Sequence, residues 1–227
     1  MTPIIKTNLA NRQNYGSARS ASQIKYIVIH YTANDGDHDE GNANYFKNNV
    51  VNASAHYFVD DDSITISVPD LFTAWSVGGT KWKDCAATGG GTMYGKITNA
   101  NSISVEMCDT QKDGTIKATE QTMANTAVLV KDLMKRYNVP IENVYRHFDV
   151  TGKHCPAYFM NPTAWAEFKE RLKDDPALKD IPEWALPTVK KLIAHGSLKG
   201  DSKGDLNLSN DMLRILVIND REGLYGK

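Results

Sequence analysis

The segment RHFDVTGKHCPAY, residues 146–158, contains a histidine and a cysteine that could bind the same metal ion. His147 and Cys155 are eight positions apart, with Lys153 between them, and a short glycine-containing loop would bring them together. Imidazole and thiolate groups are ligands for soft or borderline metals, zinc above all. Catalytic zinc sites usually take three protein ligands and keep a fourth position for water, so a third ligand is needed.

His30 is the best candidate for that third ligand. It closes the apolar run IKYIVIH at 24–30, which predicts a buried strand. In open α/β sheets, functional side chains gather at the carboxyl ends of strands. Taken singly, His30 could be a hydrogen-bonded histidine at a strand end, and Cys155 a small buried hydrophobe. The crowding of histidine, lysine and cysteine into one loop without hydrophobic periodicity favours the metal site.

A hydrolytic metal site also needs a general base and a group that stabilises an oxyanion. In the strand-like run SISVEMC at 102–108, the apolar residues alternate onto one face and Glu106 falls on the other. A carboxylate there is costly unless it faces polar groups or a cleft, although a strand with one solvated face would explain the pattern equally well. Lys153 could stabilise the oxyanion of a tetrahedral intermediate; the alternative is an ordinary solvated loop lysine.

The composition is that of a globular protein. The chain has 227 residues, 41% of them hydrophobic, and its 26 basic and 27 acidic residues give a net charge of −1. No global positive field draws it to nucleic acid or anionic lipid, so we predict neither partner. The N-terminus lacks the apolar core of a secretory signal, and three scattered cysteines fit a reducing compartment. These features predict synthesis in the cytoplasm without a signal peptide.

Strand and helix patterns alternate along the first three quarters of the chain. Helices interleaved with strands predict an α/β domain of three layers, with a central sheet covered on both faces. The glycine-rich stretch 77–102 is too long for a simple connection and predicts a surface loop beside the site. Strands are predicted at 24–30, 55–60, 63–68, 102–108 and 143–147, and helices at 41–50, 118–138 and 161–173.

The pattern changes near residue 174. We predict a catalytic domain at 1–173, a linker at 174–182 and a small helical module at 183–227. Two helical patterns in this module flank a turn-forming segment, the first ending before Gly196 and the second capped by Ser209 or Asn210. About 45 residues are barely enough to fold alone, so we expect the module to pack on the main domain or on another copy of itself.

Five motifs resemble a known family in their order and separations. The family is the amidase-2 type of zinc-dependent N-acetylmuramoyl-L-alanine amidases, which includes phage endolysins and relatives of peptidoglycan recognition proteins. The resemblance covers residues 20–172 and implies a central mixed β-sheet flanked by helices on both faces. It also implies that zinc is held by His30, His147 and Cys155. The motifs are IVIHYTA, SAHYFVDDD, AWSVGG, NSISVEMC and HFDVTGKHCP.

The resemblance also implies the reaction, hydrolysis of the amide between N-acetylmuramic acid and L-alanine of bacterial peptidoglycan by a zinc-bound water. Many members use a glutamate matching Glu106 as the base, and a residue matching Lys153 polarises the carbonyl or holds the intermediate. Other members have a catalytic tyrosine directly before the residue matching His56. This chain has Ala55 there, which removes that option and strengthens the assignment of Glu106 as the base. His56 and Trp75 resemble groove residues that could contact sugar or peptide, although both could simply pack.

These expectations combine into one hypothesis, a phage-type endolysin that waits in the cytoplasm and acts on the cell wall after the membrane is breached. A bacterial autolysin exported by another route would share the same features. The C-terminal module resembles a single surface-layer-homology repeat, which implies a cell-wall polymer as its ligand or self-association into a homo-oligomer. Two rival hypotheses are a non-catalytic peptidoglycan-binding protein and a hydrolase that uses Cys155 with His147 as its nucleophile and base.

Overall fold

The computed structural model describes residues 3–173 and 176–226. The described residues fall into two compact units that divide after Leu172. The strands, in chain order, are β1 (Ile4–Thr7), β2 (Tyr15–Ala18), β3 (Tyr26–Tyr31), β4 (Tyr57–Val59), β5 (Ser63–Ile66), β6 (Phe72–Ala74), β7 (Ser102–Met107) and β8 (Val144–Arg146). The helices are α1 (Asp39–Asn48), α2 (Cys85–Thr88), α3 (Glu120–Tyr137), α4 (His147–Thr151), α5 (Pro162–Arg171), α6 (Leu186–Ala194) and α7 (Asn210–Arg221).

A six-stranded mixed sheet forms the centre of the first unit. Its strand order is β1-β5-β4-β7-β3-β8. Strands β4 and β5 are antiparallel, as expected for neighbours joined by a tight turn, and the other four pairs are parallel. Strands β2 and β6 form a separate antiparallel pair. The mixed sheet confirms the predicted fold class.

Both faces of the sheet are covered. One face carries Ile27 and Ile29 of β3 together with the apolar residues of β7, and it packs against the buried side of α3 and against α5. On the opposite face, Val28 packs with Val150 of α4, and Phe58 of β4 packs against α1. This division follows from the alternation of side chains along a strand. Helices therefore flank the sheet on both faces, as predicted.

Helix α3 begins and ends where its sequence predicts. The Thr119 hydroxyl accepts a hydrogen bond from the backbone N–H of Thr122, which satisfies one of the donors left free at a helix start. Asn138 adopts a left-handed conformation at the other end (φ 51°), and Pro140 follows soon after.

The observed elements include short strands that were not predicted, and one predicted strand ends one residue early. Strands β1, β2 and β6 were not predicted, because each has only three or four residues, too few to show an alternation of apolar and polar side chains. The strand predicted at 143–147 ends at Arg146, so the prediction was wrong for His147, which begins α4. The cause is local: the Asp149 carboxylate accepts hydrogen bonds from the backbone and side chain of Arg146 and starts a helix there.

The second unit is helical. Ser209 caps α7 by accepting from the backbone N–H of Met212. Gly196 and Gly223 follow the two helices with positive φ, which a glycine adopts at little cost. Residues 174 and 175 of the predicted linker lie outside the described residues, and Ile181, also within it, packs in the core of this unit. None of the helices in the described ranges is long and apolar enough to cross a bilayer.

Candidate active site

Three potential metal ligands converge at one edge of the sheet. His30 lies near the end of β3, His147 begins α4, and Cys155 follows four residues after that helix. One ligand atom from each lies within 4.8 Å of the others. The Cys155 Sγ is 3.9 Å from Nδ1 of His30, and the two imidazole ring centres are 4.6 Å apart. All three side chains are buried.

Strand register brings the two histidines together. Strands β3 and β8 run parallel with Ile29 opposite Arg146, so His30 is the next residue on β3 and His147 is the first residue after β8. Their side chains therefore leave the sheet at the same carboxyl edge. Cys155 is joined to this edge because its carbonyl accepts a hydrogen bond from the backbone N–H of Phe148 at 3.0 Å.

An ion pair between Arg146 and Asp149 brackets His147. The guanidinium donates to both carboxylate oxygens, at 2.6 and 3.0 Å, and both side chains are largely buried. A third donation, at 2.7 Å, reaches the carbonyl of Phe159, downstream of Cys155. Such a bidentate pair is directional as well as strong. It connects the two ends of the segment 147–155, which carries His147 and Cys155 and which we name the ligand segment.

The donor set fits zinc. Two nitrogen atoms, Nε2 of His30 and Nδ1 of His147, are buried and have no hydrogen-bond partner among the described residues. Burial lowers the pKa of His30 well below its usual value and that of His147 to about 4, so both imidazoles are neutral as metal ligands must be. Burial raises the pKa of the Cys155 thiol, which a cation beside it would reverse. Two imidazoles and one thiolate supply three nitrogen and sulfur ligands, the number that a catalytic zinc site takes from the protein.

Glu106 lies directly beside this cluster. It is opposite His30 in the parallel register of β3 and β7, and its Oε1 is 3.7 Å from Nδ1 of His30. Its other oxygen, Oε2, is buried without a hydrogen-bond partner in the described part of the chain. Burial raises the pKa of Glu106 to about 8, and the positive charge of Lys153 opposes that rise. The structure thus places the predicted base in the same site as the predicted ligands.

Lys153 stands at the exposed side of the site. Burial has the largest effect on the pKa of Glu106 and on that of His147. The positive charge of Lys153 has the next largest effect and lowers both pKa values. Its positive charge thus acts on the buried groups, while its side chain is accessible to solvent. The backbone supports this position, because the Lys153 carbonyl accepts a hydrogen bond from the N–H of Cys155 at 2.7 Å.

The two predicted groove residues differ in their surroundings. His56 is buried: its Nδ1 accepts from the backbone N–H of Ser104 at 3.0 Å, and its Nε2 is 2.9 Å from Nη2 of Arg19. This favours packing for His56. Trp75 is half-buried and lines a largely apolar groove of about 420 Å³ that Val150 of α4 also lines. The groove therefore reaches the helix that begins with His147.

Two neighbouring positions contribute no ligand or phenol. Ala55 is buried in an apolar cluster with Ala43 and Phe58. His154 lies outside the ligand cluster; its ring stacks on Trp82 with a centroid distance of 5.9 Å, and its Nε2 is 3.6 Å from the Asp84 carboxylate.

Sequence reasoning missed the residues that support the ligand segment. The Arg146–Asp149 pair was visible only as two charges three positions apart, a spacing that predicts contact once a helix is assigned there. Cys85, to which the sequence assigned no role, is buried and donates through its thiol to the carbonyl of Thr151 at 3.6 Å. No side-chain pattern in the sequence indicates that contact.

Comparison with known proteins identifies relatives of this chain. BlyA of Bacillus subtilis (strain 168), an N-acetylmuramoyl-L-alanine amidase, is 33% identical over 190 residues, which cover 81% of this chain and 51% of BlyA. CwlL of Bacillus licheniformis, of the same description, is 32% identical over 72% of this chain and 44% of its own length. The chain spans about half the length of these relatives.

Solved structures give the same result. The catalytic domain of XlyA superposes with a TM-score of 0.58 at 29% identity, covering 74% of this chain and 99% of that domain. A mutant endolysin from Bacillus subtilis superposes with a TM-score of 0.59 at 28% identity, covering 76% of this chain and all of that one. The family model described as N-acetylmuramoyl-L-alanine amidase matches residues 20–158. The chain therefore belongs to the amidase-2 family of N-acetylmuramoyl-L-alanine amidases.

Proposed function

We propose that this protein is a zinc-dependent hydrolase that cleaves the amide between N-acetylmuramic acid and L-alanine in bacterial peptidoglycan. The observation that carries the proposal is the convergence of His30, His147 and Cys155, with Glu106 in register beside His30. Family membership supports the bond and the substrate, because the curated relatives are N-acetylmuramoyl-L-alanine amidases.

His30, His147 and Cys155 would hold the metal. Zinc, when bound, supplies Lewis-acid polarisation and lowers the pKa of water to about 7. Burial raises the pKa of Glu106 to about 8, and a neighbouring cation would lower it again, so the carboxylate would be ionised. Glu106 would then take the proton of the attacking water at Oε2, the buried oxygen that has no partner among the described groups. The same carboxyl group would then return the proton to the departing alanine nitrogen.

Lys153 would stabilise the negative charge that develops on the carbonyl oxygen. Its ammonium is a compact charge on a flexible stem, and its side chain is accessible to an arriving substrate. Fixed positive charge beside a developing oxyanion is among the largest contributions to catalysis in such sites.

The groove lined by Trp75 would bind part of the substrate, because it extends to Val150 on the helix that begins with His147. Trp75 and Tyr94 give it aromatic walls, and Gly78 and Gly79 leave backbone groups accessible to a polar ligand. Sugar rings and peptide side chains both pack on such surfaces. His56 would act indirectly, because it is hydrogen-bonded to Ser104, two residues from Glu106 on β7.

We further infer that the C-terminal unit directs the enzyme to the wall. Trp184 and three apolar residues of α7, Met212, Ile215 and Ile218, are about half exposed and form a surface for a wall polymer. A second copy of the chain is the alternative occupant. Sedimentation of the full chain with purified sacculi, compared with its mass in solution, distinguishes the two. The enzyme would act on the cell wall after membrane breach, as an endolysin, or after export, as an autolysin.

Digestion of purified sacculi tests the proposed reaction. We expect new amino groups on alanine to accumulate with time, without new reducing sugar ends. A non-catalytic binding protein would sediment with sacculi and release no alanine amino groups. A cysteine hydrolase would release them equally well after chelation of metal.

A further inference from the structure

The segment that carries two of the three candidate ligands has little internal stability. Helix α4 has five residues, too few to persist in isolation. The Phe148 carbonyl accepts a hydrogen bond from the backbone N–H of Gly152, but the carbonyl groups of residues 149–151 have no partner within the helix. The position of His147 therefore depends on contacts from outside the segment.

Those contacts come from residues 82–93, which we name the bracing loop. Its backbone satisfies two of these three carbonyl groups, because Trp82 donates to Thr151 (2.8 Å) and Met93 donates to Asp149 (2.8 Å). Gly91 adds a second donor to the carbonyl of Phe148 (2.9 Å). The Cys85 thiol adds a second donor to the Thr151 carbonyl. The loop thus acts as the C-terminal cap of α4.

Two glycines make this close approach possible. A Cβ on Gly90 would lie 2.6 Å from the Phe148 ring and 2.9 Å from the Cα of Gly152. A Cβ on Gly152 would lie 2.2 Å from the Cys85 sulfur, and Gly152 also has φ +89°. The loop and the ligand segment are therefore in contact along their backbones, with the Cys85 sulfur filling the space that Gly152 leaves.

The contact continues as far as His154, the residue before Cys155. Trp82 stacks on His154, the neighbour of Cys155, and Asp84 pairs with the same imidazole. The bracing loop therefore touches the segment from α4 to the residue beside Cys155.

We propose that the bracing loop positions His147 and Cys155 for metal binding, with Gly90 and Cys85 as its positioning residues. Groups that fix the orientation of metal ligands raise metal affinity because the ligands need not be ordered on binding. This inference rests on the proposed zinc site. Neither residue touches the ligand atoms, so each acts through the backbone of α4 and Gly152.

Zinc affinity, measured on apo-protein by competition with a chromophoric chelator, tests this role. Gly90→Ala places a methyl group against Phe148 and Gly152 and should weaken zinc binding about 10- to 100-fold, as loss of an outer-shell partner does. Gly41→Ala is the matched control: Gly41 lies on α1, and no described atom would come within 4 Å of its Cβ. We expect its zinc Kd to equal that of the unmodified protein.

Cys85 provides a second pair of variants that do not introduce a clash. Cys85→Ala removes the sulfur and should weaken zinc binding several-fold, whereas Cys85→Ser keeps a donor to Thr151 and should restore most of the affinity. Urea denaturation of the apo-proteins accompanies each measurement. A residue with a merely structural role would lower apo stability without changing the zinc Kd.

The outcomes are distinct. Weaker zinc binding in Gly90→Ala and Cys85→Ala, with Cys85→Ser and Gly41→Ala near the unmodified protein, supports the inference. Unchanged Kd in folded Gly90→Ala and Cys85→Ala overturns it and leaves the zinc site intact. If Gly90→Ala does not fold, the Cys85 pair decides alone. Failure of the unmodified protein to bind zinc overturns the proposed function and the inference with it.

Discussion

Glu106 and His30 are opposite one another on two adjacent parallel strands, and their side chains meet at 3.7 Å. The base and a metal ligand are thus fixed by the same backbone hydrogen bonds, since a register shift of one residue would send either side chain to the other face. The proposed chemistry depends on this alignment.

Replacement of Glu106 by Gln should lower kcat about 10²- to 10⁴-fold, the usual cost of losing a positioned base. The amide keeps the size of the side chain but accepts no proton, so zinc content should stay at that of the unmodified enzyme. Release of alanine amino groups from sacculi and metal analysis measure the two quantities. Glu40→Gln is the control, because the Glu40 side chain is exposed on α1, and it should keep full activity. Near-normal activity of Glu106→Gln would exclude Glu106 as the base.

Replacement of Cys155 by Ala should remove both bound zinc and activity. Catalytic zinc sites rely on three protein ligands, so loss of the thiolate leaves two imidazoles. Cys108→Ala is the control, since Cys108 is also a buried free thiol but lies in the cluster with Ala43 and Ala55. It should keep its zinc. Retention of zinc by Cys155→Ala would mean that the metal sits elsewhere.

Replacement of Lys153 by Met should lower kcat about 10²- to 10³-fold, as loss of one oxyanion donor does. Lys153→Arg keeps the positive charge and should recover part of the rate. Steady-state kinetics on a soluble muropeptide separate this from a binding defect, because KM should change less than kcat. Lys199→Met in the second unit is the control. A defect confined to KM would make Lys153 a substrate-binding residue instead.

Replacement of Trp75 by Ala should raise KM roughly tenfold, the effect of losing one well-packed aromatic contact. We expect kcat to fall less, because Trp75 lines the groove and is not one of the predicted ligands or catalytic groups. Tyr45→Ala removes a more exposed aromatic ring, on α1, and should leave KM unchanged. Unchanged KM in Trp75→Ala would show that substrate binds outside the groove.

Acid should destabilise the protein partly through Asp61. Burial acts to raise its pKa, but hydrogen bonds from the hydroxyl groups of Thr119, Thr110 and Thr122 outweigh burial, so the pKa is lowered. Because the pKa of Asp61 is lower in the folded state, the ionised carboxylate stabilises the fold at pH values above the unfolded pKa of about 3.9. This contribution is lost as the pH falls through the pKa of the folded state. Asp61→Asn should therefore be less stable at pH 7 and lose less stability between pH 7 and pH 3, as measured by urea denaturation. An identical loss of stability in Asp61→Asn and the unmodified protein would exclude Asp61 as a source of this acid sensitivity.

The sequence predicts the site better than it predicts what supports the site. His30 and Glu106 could be found because each interrupts an apolar strand pattern, and strand ends and strand faces follow simple periodicities. His147 was found by its chemistry, although its helix was missed because five residues show no period. The stretch 77–102, which contains the bracing loop, is predicted as a surface loop beside the site. Its contacts with α4 could not be predicted, since they are made mainly by backbone N–H groups that any residue but proline provides.

The most direct test couples metal to reaction. Apo-enzyme is titrated with zinc while alanine amino groups released from purified sacculi are counted. We predict that the rate rises linearly and stops rising at one zinc per chain, and that Cys155→Ala shows no rise. A rate that is independent of zinc, or a product other than amino-terminal alanine, would contradict the account.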